Sequence, residues 1–141
     1  YLGRMTKDGF AELDVEGKKI LLVHGDMKDV YWGKMADAEQ RDECYMKYDF
    51  VLHGHSHVPQ YNEVYFAVEN PLMRNKKKTV FINPGSVGQP RNHNPRAQYA
   101  ILDTQTGECQ LMSAEYDIAY EQSLYPEEID SFYKERLERG V

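Results

Sequence analysis

The stretch Asp49-Phe50-Val51-Leu52-His53-Gly54-His55-Ser56-His57-Val58-Pro59 decides how the chain reads. Asp49 to Leu52 has the composition of a short buried strand, and the run stops at glycine. His55 and His57 then stand two residues apart in a loop that Pro59 keeps from continuing as regular strand. Two other stretches end the same way. Ile20-Leu21-Leu22-Val23 is an apolar run closed by His24-Gly25, and Thr79-Val80-Phe81-Ile82 is closed by Asn83-Pro84-Gly85-Ser86. Three strands that each release a polar, glycine-bearing loop would point those loops at one sheet edge, where α/β folds commonly build their sites.

With 141 residues the chain fits one domain, by a prior of roughly 100–200 residues per domain. A net charge of −6 and a pI near 5.3 speak against a nucleic-acid polymer or an anionic membrane as partner. A small phosphorylated substrate held through a metal stays compatible with that charge. Only two cysteines occur, Cys44 and Cys109, too few for a disulfide scaffold, so a reducing, cytoplasmic setting is expected. No apolar run has the length of a membrane span and no signal peptide is visible. The chain opens on Tyr1, which reads as a fragment or a processed product.

Taken in order, Phe10 to Val15 and Lys18 to His24 read as a hairpin around Glu16-Gly17. The near-continuous apolar Ile20 to Val23 suggests burial on both faces. Asp26 to Lys34 is loop-like and carries Tyr31 and Trp32 above the sheet. Met35 to Tyr48 has helical composition and is expected to be the crossover to the strand at Asp49. Tyr61 to Val68 reads as a weak strand. Asn70 to Lys78 reads as a loop whose lysine run, Lys76-Lys77-Lys78, is solvated and blunts a sheet edge. Gly85 to Arg96 is a long loop of the kind that often carries function. Gln98 to Asp103 and Glu108 to Glu115 form a hairpin. Tyr125 to Arg139 is expected to be a terminal helix, with Pro126 near its start and Gly140 closing it.

Neutral imidazole suits borderline transition metals, and a His-x-His pair can face one ion or bridge two neighbours. His55 and His57 are the first candidates, and His24 at another strand end is the third. Each alone could equally be an ordinary loop or structural histidine. Three histidines do not complete a two-metal centre, which also needs carboxylates. Asp26 and Asp29 lie near His24 but read as ordinary loop acids. His53, immediately before the motif glycine, is expected to pack locally.

In order along the chain, Val23-His24-Gly25, Gly54-His55-Ser56-His57 and Asn83-Pro84-Gly85-Ser86-Val87-Gly88-Gln89-Pro90-Arg91 with Pro95-Arg96-Ala97 resemble the calcineurin-like metallophosphoesterases, and their small bacterial branch most. The resemblance runs from about Phe10 to Asp117. It implies an α/β fold of αββα type, a sandwich of two mixed sheets with helices outside, with the whole of 1–141 as the C-terminal portion of one such domain. It also implies metal-dependent phosphoester hydrolysis, with His24 and His55 on the second metal and His57 on the first. The two ions, of manganese, iron, zinc, nickel or cobalt, would stand roughly 3.5–4 Å apart and hold a bridging hydroxide that attacks phosphorus. Asn83, Gly85 and Ser86 fall in the family's loop beside the site. Arg91, His93 and Arg96 could reach a substrate phosphate through charge-assisted hydrogen bonds, although surface or intramolecular ion pairs are the favoured reading.

The departures matter as well. The family's Asp-x-His, Gly-Asp-x-x-Asp and Gly-Asn-His-Asp/Glu motifs, which supply the carboxylates and the catalytic histidine, have no counterpart before His24. Asp8-Gly9 and Asp14 do not reproduce those spacings, and Gly25-Asp26-Met27 stands where this branch usually has Gly-Ser-Pro. The chain therefore reads as the second half of a phosphodiesterase or phosphatase, inactive by itself, with its catalytic residues elsewhere. The alternatives are a non-catalytic binding or scaffold module of the same fold, and a mononuclear zinc site on His24, His55 and His57. Removing half of a sandwich would bare strand edges and an apolar face, so self-association of such a chain is expected.

Overall fold

The computed structural model describes residues 9–74 and 76–141. Seven strands carry it: β1 (Phe10–Val15), β2 (Lys18–Val23), β3 (Phe50–Leu52), β4 (Gln60–Val64), β5 (Thr79–Asn83), β6 (Ala97–Leu102) and β7 (Cys109–Ala114). Two α-helices follow, α1 (Ile118–Ser123) and α2 (Ser131–Arg139). A five-stranded sheet has the order β1-β2-β3-β5-β4, and β6-β7 form a separate two-stranded sheet. The expected mixed α/β architecture is therefore present.

The turn between β1 and β2 needs two consecutive residues with positive φ, and Glu16 (53°) and Gly17 (79°) supply them. Asp14 Oδ1 accepts the Gly17 amide at 3.1 Å and steadies that turn. From β2 onward the sheet is parallel through β3 to β5, and β4 returns antiparallel as the edge. Leu21 pairs with Val51 and Val51 with Phe81, all three fully buried. Side chains alternate across a strand, so this row lies on one face with Val23, Tyr45, Tyr48 and Val64. The neighbouring rows, Ile20 with Phe50 and Val80, and Ile82, lie on the other face. There Leu52, Ala100, Leu102 and Cys109 pack against them, which brings β6 and β7 over that face. Burying one such side chain contributes on the order of 1.5–3 kcal/mol.

The crossover differs from expectation. Met35 to Tyr48 is not one α-helix but two short 3₁₀ helices, Ala38–Gln40 and Glu43–Lys47, with Arg41 extended between them (φ −70°, ψ 136°). Packing decides this over helical propensity. The Arg41 Nε donates to the Ala36 carbonyl at 3.0 Å and its guanidinium lies 3.9 Å over the Phe81 ring. The Tyr45 ring meets Phe81 edge-on at 5.3 Å, and its hydroxyl accepts the Met27 amide at 2.8 Å. Thr79 Oγ1 donates to the Tyr48 carbonyl at 2.8 Å and ties the crossover's end to β5.

Three smaller differences have local causes. The weak strand after Pro59 ends at Val64 rather than Val68. Lys78, expected as part of a solvated run, is instead ion-paired with Glu63 on this edge strand. The terminal helix starts at Ser131, because Asp130 caps it by accepting the Phe132 amide at 2.9 Å, and Pro126 lies in the preceding turn. An additional helix, α1, is capped by Asp117 through the Tyr120 amide at 2.9 Å. Gly140 closes α2 in the left-handed conformation (φ 63°), as its position foretold. Among the described residues no helix is long and apolar enough to cross a membrane.

Arg41 is buried, its Nη1 has no hydrogen-bond partner among the described residues, and burial lowers its pKa. Replacing it by Met keeps an unbranched chain over Phe81 and removes an uncompensated buried cation. Arg41→Met is expected to leave stability unchanged or raise it by about 1 kcal/mol, whereas Phe81→Ala should cost about 3–5 kcal/mol. Urea denaturation of the two variants beside the parent chain measures both.

Candidate metal centre

Because β2, β3 and β5 are parallel neighbours, their C-terminal ends release His24, His53-Gly54-His55-Ser56-His57 and Asn83-Pro84-Gly85 side by side. The ladder continues a step past the strands. His53 N donates to the Ile82 carbonyl and Gly54 N to the His24 carbonyl, each at 2.9 Å.

Asn83 is buried and holds the loops to one another. Its Nδ2 donates to the Gly54 carbonyl at 2.9 Å and to Ser56 Oγ at 3.0 Å, and its Oδ1 accepts the Gly85 amide at 2.9 Å. Gly85 has φ +89°, and a Cβ there would lie 2.2 Å from Gln98 Oε1 and 2.9 Å from Pro59 Cγ. Only glycine fits that approach. Ser86 Oγ accepts the Gln89 amide at 2.9 Å, which sets the Gln89 carbonyl against His57.

His55 (φ 64°) and His57 (φ 58°) both adopt left-handed backbone, uncommon for residues with a Cβ. His55 Nδ1 stands 3.3 Å from His24 Nε2, with ring centroids 5.3 Å apart and planes nearly perpendicular. Burial first, and then His55 and His57, hold the His24 pKa below the usual histidine value, so His24 favours the neutral imidazole that a metal requires. His57 Nδ1 lies 2.7 Å from the Gln89 carbonyl. A carbonyl can only accept, so Nδ1 carries the proton and the Nε2 lone pair is left for a ligand, the usual support of a metal-binding histidine.

These donors suit a borderline divalent ion in kind. Yet no three His, Cys, Asp or Glu side chains converge as one ligand set among the described residues. The acids nearest in sequence are committed to their loop. Asp26 Oδ1 accepts the Lys28 and Asp29 amides at 2.7 and 2.8 Å, and Asp29 Oδ1 accepts those of Tyr31 and Trp32 at 3.3 and 3.0 Å. His53 is buried, and burial together with the Arg41 charge pushes its pKa down to about 4, so it packs as a neutral ring.

The three candidate phosphate contacts separate. Arg91 stays by the cluster, its amide donating to the His57 carbonyl at 3.2 Å and its Nη2 to Gln89 Oε1 at 3.0 Å. Arg96 is ion-paired with Glu115, just past the end of β7. His93 donates its amide to Gly140 at the end of α2, at 2.8 Å. Gln98, which positions the loop, carries no sequence signal that marks it, whereas Gln89 lies inside the family-like block and Trp32, expected above the sheet, has its ring centroid 6.3 Å from that of His55.

Comparison with known proteins bears on the fold and the family. A curated but uncharacterised protein of Methanocaldococcus jannaschii is 32% identical over 115 residues, covering 78% of this chain and 47% of that protein. The crystal structure of a metallophosphoesterase from Sphaerobacter thermophilus superposes with a TM-score of 0.73 at 28% identity, over 92% of this chain and 59% of that one. A hypothetical protein from Pyrococcus horikoshii OT3 has the same fold, with a TM-score of 0.69 at 18% identity over 94% of this chain and 51% of that one. The chain thus spans about half the length of the curated relative it matches. Residues 3–107 match the calcineurin-like phosphoesterase superfamily domain, and the chain belongs to that family.

Proposed function

We propose that this chain supplies the histidine ligands of a two-metal centre for phosphoester hydrolysis, on small phosphorylated substrates. The observation that supports it is the approach of His24 Nε2 and His55 Nδ1 to 3.3 Å at the ends of adjacent parallel strands. His24 and His55 would share one ion, and His57 Nε2 would face the other. Divalent ions bound there would act as Lewis acids on the phosphoryl oxygens. Asn83 keeps the ligand loop in register, and Arg91 is the cation best placed to meet a phosphate. A two-metal centre also needs carboxylates, and none joins these histidines in one ligand set among the described residues.

With imidazoles alone, the chain is expected to take up no more than one Mn²⁺ or Zn²⁺ and to hydrolyse bis-p-nitrophenyl phosphate no faster than the metal in buffer. Elemental mass spectrometry and a colorimetric assay check both. His55→Ala should abolish uptake, and uptake that persists in this variant would place the ion on other residues and remove His55 from the ligand set. Asn83→Ala breaks the hydrogen bonds behind the ligand loop. It should weaken the ion about 10–100-fold and destabilise the fold by about 1–3 kcal/mol, read by calorimetric titration and thermal melting.

An apolar trough of about 340 Å³ lies between the large sheet and β6, lined by Leu52, Ile82, Val87 and Leu102 among others. Ile101 and Leu111 are exposed on β6 and β7. Self-association of the isolated chain follows from such surfaces. Sedimentation velocity should show a weight-average mass that rises with concentration, and a constant monomer mass would contradict it.

A further inference from the structure

Trp32 is 79% exposed, the most exposed of the large hydrophobic side chains described. Its ring is only 6.3 Å from that of His55 and perpendicular to it. The loop that carries it is held closely. Gly25 N donates to the Val30 carbonyl at 2.8 Å and Gly33 N to the Asp29 carbonyl at 2.9 Å. A Cβ on Gly25 would come within 2.5 Å of the Gly33 carbonyl oxygen, and one on Gly33 within 2.5 Å of the Asp29 carbonyl oxygen. The neighbouring Tyr31 is engaged elsewhere, since its ring lies against Gly9 at the start of β1. The loop therefore sets one indole, already positioned, at the rim of the histidine cluster.

We propose that Trp32 is a stacking platform for the organic part of the substrate, and that the ester handled at His24 and His55 carries a planar ring, as in a nucleoside monophosphate or an aryl phosphate. This rests on the phosphoester reading of the cluster. A π-face bound to a held loop offers stacking with little ordering cost, and it is tolerant of which base or aryl ring it meets. Trp32 does not take part in the chemistry. It selects among esters with the same phosphate.

The chain contains a single tryptophan, so its emission reports on this position alone. The chain loaded with Zn²⁺ is titrated with adenosine 5′-monophosphate, phenyl phosphate, ribose 5-phosphate and inorganic phosphate. At least one ring-bearing ester should quench the emission and bind about 10-fold or more tightly than ribose 5-phosphate, and which one quenches tells base from aryl ring. Trp32→Leu, followed by phosphorus NMR, should remove that advantage and leave ribose 5-phosphate binding unchanged. Equal affinity for ring-bearing and ring-free esters, or an advantage that survives Trp32→Leu, overturns the proposal while the phosphoester reading stands. A ring-bearing ester that binds Trp32 equally well in His55→Ala overturns the link between the two. If none of the four phosphates binds, the phosphoester reading fails and this inference fails with it.

Discussion

The parallel register of β2, β3 and β5 is the constraint on which the rest depends. Leu21, Val51 and Phe81 lie in one row with no exposure, so each strand is locked against a one-residue slip. A slip would turn a buried row to the wrong face and exchange the environments of every side chain. The same lock aligns the strand ends, and the loops that leave them inherit that alignment. His24, His55 and Asn83 come from residues far apart in the chain, yet no side chain among them needs to reach far. The sheet does the gathering, and Asn83 fastens the result.

Much of this was legible because the decisive signals are local. Four-residue apolar runs that stop at glycine mark buried strands, and their shared ending in His-Gly or Asn-Pro-Gly marks a common edge. The tight turn at Glu16-Gly17 and the cap at Gly140 each announce themselves by residue type. The crossover was not legible, since its helical composition says nothing of Phe81, which lies over thirty positions away and draws Arg41 and Tyr45 to itself. The support of His57 was hidden for another reason. Its partner is a backbone carbonyl, at Gln89, and any residue there would offer one. Arg96 shows the limit of reading charge from sequence, because Glu115, nineteen positions on and just past β7, holds its guanidinium.

Polar chemistry is distributed unevenly across the two ends of the parallel strands. At the histidine end, burial favours the neutral form of His24, whose Nε2 faces His55 Nδ1. Behind it, His53 and Arg41 are buried, and His53 Nε2 and Arg41 Nη1 have no hydrogen-bond partner among the described residues. Acids such as Asp26, Asp29 and Asp103 stand in turns, where their carboxylates hold backbone amides.

The left-handed backbone at His55 and His57 also limits what can replace them over evolutionary time. β-Branched side chains are strained there, whereas Asn and Asp enter that region of backbone more readily than most residues. Both are oxygen donors. The loop can therefore exchange an imidazole for an amide or a carboxylate without being rebuilt. Were the loop to hold an ion as proposed, that exchange would move its preference from softer toward harder cations.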